Sequence, residues 1–167
     1  MTITINGFDT ASIDAAIREL QTKFKDQNQM VQDACMKVAE FGAKWAEGGY
    51  RSAEYPSGAN DVVVTAEATG DGARVRASGE NVLFIEYGAG ALRGYGHPEP
   101  NGYGPGTFNP LSDNWKNPNG WIYGGIGSGK SRVPLRTWGN PPSAAMYYAE
   151  QAMRENADTI VNGVLGK

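Results

Sequence analysis

The sequence predicts an α+β fold: a long N-terminal helical region, a small antiparallel β-sheet, a long Gly/Pro/aromatic loop and a C-terminal helix. Three observations predict it. Apolar residues recur at spacings of three and four over residues 13–45, the period changes to two over residues 62–77, and helical spacing returns over residues 145–164. With 167 residues and one such succession, a single domain spanning 1–167 is expected, large enough to bury a core of its own.

The opening Thr2-Ile3-Thr4-Ile5 alternates as a short strand does, Asn6-Gly7 turns, and Asp9 or Thr10 can cap a helix that starts near Ser12. Ile13, Ala16, Ile17 and Leu20 form one apolar stripe; Val31, Ala34, Cys35, Val38, Phe41 and Trp45 form a second. Polar Asp26-Gln27-Asn28-Gln29 separates them, which leaves one long helix and two tandem helices both open. Trp45, on the second stripe, is expected to carry core packing.

After Tyr55-Pro56-Ser57-Gly58, Val62, Val64, Ala66 and Ala68 alternate with Val63, Thr65, Glu67 and Thr69. Gly70-Asp71-Gly72 supplies a hairpin turn, and the return strand sends Ala73, Val75 and Ala77 inward with Arg74 and Arg76 outward. Residues 81–87 are apolar on both faces and fit a central strand or a short buried helix. In the turn that follows, Gly88 and Gly90 are expected in backbone conformations closed to residues with a side chain.

From residue 88 to 142 no period survives; glycine and proline punctuate the whole stretch, and most of the 23 glycines lie in the second half of the chain. Loops of such length are commonly functional or disordered. This one contains Tyr95, Tyr103, Phe108, Trp115, Trp121, Tyr123 and Trp138, whereas disordered linkers are poor in aromatics. It reads as an extended assembly arm, held in order by neighbours. Asn140-Pro141-Pro142-Ser143 then opens the last helix, with the stripe Ala145, Tyr148, Ala149, Ala152, Met153, Asn156, Ile160 and Val164, and Gly166 ends it.

Composition narrows the function classes. A net charge of −3, with 40% hydrophobic and 20% charged residues, is that of a soluble globular protein and gives no global signal for nucleic acid or a membrane surface. No apolar run approaches the roughly 20 residues of a membrane span. MTITINGFDT lacks a basic segment followed by an apolar one, so no secretory signal is expected. The single Cys35 excludes an internal disulfide and fits a reducing cytoplasm.

Residues 124–131, GGIGSGKS, match the phosphate-loop pattern through Gly124, Gly129, Lys130 and Ser131. A working phosphate loop follows a buried strand and opens a helix whose N-terminus holds the phosphates. Here Pro134 falls inside the required helix, and no acidic residue follows Ser131 before Glu150. The match is therefore read as a coincidence of a glycine-rich loop, and no cofactor is expected. His97 is the only histidine and Cys35 lies on an apolar stripe, so neither a Ser-His-Asp triad nor a Cys-His pair is indicated, and no zinc cluster can form. His97 reads as a loop residue before Pro98. Glu86 and Glu99 are the one carboxylate pair weighed for glycoside cleavage, but Glu86 is expected instead to accept backbone N–H groups of the glycine turn after it. Five basic residues (Arg93, Lys116, Lys130, Arg132, Arg136) stand against Glu99 and Asp113 in the loop. Beside so many aromatics they fit a protein–protein contact better than stacked bases.

One ordered set of segments resembles a known family: FIEYGAG, GYGHPEP, NPNGWIYGG and TWGNPPSAAMYYA, between a long N-terminal helical region with a hairpin and a terminal helix. It is similar to the tail-completion, or neck, proteins of long-tailed bacteriophages. The family's Glu-aromatic-Gly-small-Gly turn is matched by Glu86-Tyr87-Gly88-Ala89-Gly90. Its aromatic G-W-x-Y element is matched by Gly120, Trp121 and Tyr123. The Gly-x-Pro entry to the last helix is matched by Gly139, Asn140 and Pro141, with Met146 and Tyr147 following. The loop is longer and its end richer in proline than the family pattern.

The resemblance implies a non-enzymatic virion protein of the head–tail junction, made in the host cytoplasm and assembled as a homo-oligomeric ring, a hexamer among the expected sizes. Its partners would be other neck, tail-terminator or tail-tube proteins, with no membrane, and with DNA in the lumen a contact that the net charge does not indicate. Glu86, Tyr87, Gly88, Gly90, Arg93, Trp115, Trp121, Tyr123 and Trp138 are the expected assembly interface. Two other readings stand beside it: a glycan-binding module using Trp115, Trp121 and Trp138 as sugar platforms, and a nucleotide-binding enzyme built on Lys130. Most lectin-like modules are mainly β, which the helical first third opposes.

Overall fold

The computed structural model describes residues 10–55, 60–100, 102–103, 113–126 and 133–166. The expected N-terminal strand and turn, Phe108, and Lys130 with Ser131 lie outside them. The architecture is α+β: a long helix α1 (Thr10–Ser52), a hairpin β1 (Val63–Thr69) and β2 (Gly72–Ser78), a short helix α2 (Val82–Tyr87), a second hairpin β3 (Trp121–Ile126) and β4 (Val133–Thr137), and a C-terminal helix α3 (Ala145–Leu165).

α1 is one continuous helix, about 65 Å long at 1.5 Å per residue. The polar residues 26–29 do not break it, because Gln and Asp on a solvated face are compatible with helix; Gln29 and Asp33 even pair at i,i+4, 2.8 Å apart. β1 and β2 form the expected hairpin, Val63 opposite Ser78 through Thr69 opposite Gly72. The stretch after it is the buried helix, not the strand: α2 buries Ile85 completely.

α1 packs on α3 and against both strands of the first hairpin. The core cluster is Ala46, Tyr50, Ile85, Ala145 and Ala149, surrounded by Val62, Val64, Ala77, Val82 and Met146. Small residues dominate because the two long helices approach closely. A Cβ on Gly49 would stand 2.7 Å from the Ala145 Cβ, and one on Gly42 would collide with the Met153 side chain. Trp45 is therefore not core: it is 53% exposed at the edge of the close approach, where it lines a groove with Gly49, Ala145 and Tyr148, and its neighbour Ala46 is the buried residue.

Residues 88–142 are not wholly aperiodic. β3 and β4 pair antiparallel, with Trp121 opposite Thr137 and Ile126 opposite Val133, and a register irregularity lies between Tyr123 and Ile126. That irregularity, with Gly124 and Gly125 inside β3, erased the alternation by which a strand is recognised in sequence. α3 ends at Gly166 in the left-handed conformation, as expected.

Candidate functional site

The described parts of the 88–142 segment are anchored to the helices by a knot of hydrogen bonds centred on Glu86. α2 delivers this carboxylate, 5% exposed, to the first turn of α3. Both of its oxygens lie 3.1 Å from the Met146 N–H, and Oε1 lies 3.4 Å from the Tyr147 N–H. The residue in the N-cap position, Ala144, has no side chain able to cap and sits at φ 49°. Glu86 thus does from a distance what an N-cap side chain does locally, placing negative charge at the positive end of the helix dipole. The glycine turn after it, expected to hold this carboxylate, is bound instead by backbone: Ala89 and Asn140 exchange two bonds of 2.9 Å. Ser143 N donates to Ile85 O (2.8 Å), and the Asn140 amide donates to Phe84 O (2.8 Å).

His97 belongs to the same knot and is not an ordinary surface loop residue. Its side chain is 5% exposed, and Nε2 lies 3.3 Å from Glu86 Oε1. Nδ1 accepts the Glu99 N–H at 3.0 Å, which leaves the proton on Nε2 to be donated to Glu86. Tyr87 stacks on His97 at 4.6 Å and on Tyr103 at 4.9 Å, with ring planes tilted by 39° and 31°. Glu86 and Glu99 line one cleft of about 270 Å³ together with His97, Tyr147 and Glu150, and within it the Glu86 carboxylate is engaged by Met146 N and His97 Nε2. Burial, followed by the charge of Glu86 and a hydrogen-bonding interaction with it, pushes the Tyr50 phenol well above its ordinary range.

Gly88 (φ 77°) and Gly90 (φ 95°) do occupy the left-handed region, and a Cβ on Gly88 would lie 2.8 Å from Pro142 N. These glycines and Glu86 are buried, so three of the nine residues expected at an assembly interface are used inside the subunit. The others differ. Arg93 is exposed and pairs with Glu54. Trp115 and Trp121 are half-buried. Trp138 is 48% exposed, with the Arg136 guanidinium 5.4 Å from its ring centroid. Tyr87 is spent in the aromatic stack, and the Tyr123 side chain lies outside the described residues.

Several large apolar side chains stand exposed on this anchored segment among charged and polar ones. Leu92 is 67% exposed, Ile122 68% and Tyr95 64%. A groove of about 510 Å³ runs between α1 and the entry to α3, lined by Trp45, Pro141, Pro142 and Tyr148 among others. The three tryptophans read as sugar platforms differ in exposure, since only Trp138 of the three is open. The described basic residues are engaged too, Lys116 with Asp113 at 2.8 Å and Arg136 with Asn119 O at 2.9 Å, while Lys130 and Arg132 lie outside the described residues. Where the phosphate-loop pattern requires a helix, Val133 begins a strand. Among the described residues no group of three or more His, Cys, Asp or Glu is placed to hold a metal, and no helix is long and apolar enough to cross a membrane. No protein-family model, curated protein or solved structure matches the chain.

Proposed function

We propose that this chain is a non-enzymatic assembly subunit, a structural part of a bacteriophage head–tail junction that completes a neck or tail by forming a ring. The observation that carries the reading is the exposure of large apolar side chains on an anchored segment: Leu92, Tyr95, Ile122 and Trp138 stand in solvent while Glu86 and the Ala89–Asn140 bonds fix the backbone beneath them. Exposed aromatic and aliphatic surface of this kind marks a partner site, and a firm base lowers the entropy lost when the partner binds. A ring subunit needs a patch that fits a different patch on its neighbour. The groove between Trp45, Pro141 and Tyr148 offers a second surface of matching apolar character. The assignment to a phage neck rests on the ordered motifs from Glu86 to Tyr147.

Negative-stain microscopy of the purified chain, with mass measured by light scattering, tests the proposal. Rings are expected, and they should be lost when Ile122 and Trp138 are both replaced by Ser while the circular dichroism spectrum is unchanged. Wild-type rings in that double variant, or a chain without higher assembly at any concentration and in the presence of neck and tail proteins, would overturn it.

A further inference from the structure

α1 carries a second apolar surface, remote in sequence from the anchored segment. Ile17 (46% exposed), Leu20 (40%), Phe24 (62%) and Val31 (59%) lie at heptad spacing, with Gln27 as the polar member of the series. The same spacing continues through Ala34 and Val38. There the stripe enters an open apolar groove of about 610 Å³, where α1 meets β2 and α3 through Cys35, Met153, Val161 and Leu165. Val31 belongs to both the stripe and the groove.

The geometry points to a second copy of this chain as the occupant: two α1 helices pair antiparallel about a two-fold axis at Gln27. In that register each large residue of the N-terminal half meets a smaller one of the groove half. Phe24 of one copy faces Val31 of the other, while Leu20 and Ile17 enter the groove whose floor is Ala34, 6% exposed, and half-buried Val38, so bulk meets space as close packing requires. Gln27 meets its own counterpart, where two amides can each donate and accept. The flanking positions raise no like-charge opposition: Lys23 faces Met30, Asn28 faces Asn28, and Gln21 faces Cys35. Each stripe therefore fills the other's groove, the self-complementarity that a two-fold contact demands. Paired over residues 17–38, the helices run together for about 33 Å. The contact leaves Ile122 and Trp138 free, so it is independent of ring formation and does not rest on the phage assignment.

Cysteine cross-linking of the full chain decides it. In a Cys35→Ser background, Gln27→Cys should form an intermolecular disulfide within minutes of mild oxidation, whereas Gln21→Cys should not, since two copies of residue 21 would lie about 18 Å apart along the axis. Phe24→Glu should weaken the pair roughly thirtyfold or more, moving the sedimenting mass towards a single chain with helicity retained. Cross-linking at both positions would mean a parallel pair, and cross-linking at neither would mean another occupant; each outcome overturns the inference. Rings without the Gln27 cross-link would defeat this pairing and leave the assembly proposal intact, and cross-linked pairs without rings would do the reverse.

Discussion

The half of α1 that packs is lined by Ala39, Gly42, Ala46 and Gly49, whereas the half that stands in solvent carries Ile17, Leu20, Phe24 and Val31. The larger side chains are outside. Burial on this helix follows how near the opposing backbone comes: at Gly42 and Gly49 α3 leaves no room for a side chain, and Tyr50 is the one large residue of this half that the core cluster buries. Apolar bulk marks a face that wants a partner. It does not say that the partner lies in the same chain. The packed half holds the body together, and in the pairing proposed above the open half would hold it to a second copy.

If the packed half is what stabilises the subunit, the sharpest way to damage it is at the Glu86 knot, which ties α2, α3 and His97 together. Glu86→Ala removes the acceptor for the Met146 and Tyr147 N–H groups and for His97, leaving buried donors without partners. A loss of about 3 kcal/mol is expected, read as a lower urea midpoint, with Glu86→Gln falling between the variant and the native chain. A change below about 1 kcal/mol would show that the body is held mainly by the Ala46–Ala149 contact and that the carboxylate is incidental.

A smaller effect should follow acid. Asp61, at the junction of the first hairpin with α2, is raised by burial but held below its ordinary 3.8 overall by hydrogen bonds from Glu80 N, Asn81 N and the Asn81 amide. A carboxyl lowered on folding contributes stability above pH 3.8 and loses it as the pH falls through the lowered value. The melting temperature of the native chain should thus drop between pH 4 and pH 2 by a few degrees more than that of Asp61→Asn. Parallel curves would remove Asp61 from the account of how the body is held.

The parts legible in sequence were those written in local spacing. The first hairpin announced itself through alternation around Gly70-Asp71-Gly72, and α3 through its stripe and terminal Gly166. Gly88 and Gly90 announced their backbone through the close-set glycines around Ala89. What escaped was set by distant partners. Glu86 caps a helix 60 residues away, a relation that no spacing encodes, and His97 looked like a loop residue because its burial is supplied by Tyr87 and Tyr147. β3 was hidden by the bulged, glycine-containing stretch that also spells the phosphate-loop pattern. Of the expected interface, Trp138 is exposed, while Glu86, Gly88 and Gly90 proved to be the frame beneath it.

The smallest effect expected is also the one that tests the packed half most directly, because exposed Trp45 and buried Ala46 are adjacent in it. Apolar periodicity places Trp45 on the stripe and predicts a core residue, for which truncation to alanine costs about 3–5 kcal/mol. In the folded chain the indole is 53% exposed and its neighbours are Phe41, with ring centroids 6.4 Å apart, and the groove formed with Pro141, Pro142 and Tyr148. Little of its surface returns to water on truncation that was not already there, so Trp45→Ala should lower the stability of the isolated subunit by about 1 kcal/mol or less. Ala46, wholly buried, has no such latitude. If the groove is an assembly surface, the same Trp45 substitution should reduce ring yield far more than it lowers the urea midpoint. A midpoint shift near the core value would instead mean that the indole is covered within the subunit, and the reading of the packed half as buried mainly through its small residues would fail at its clearest point.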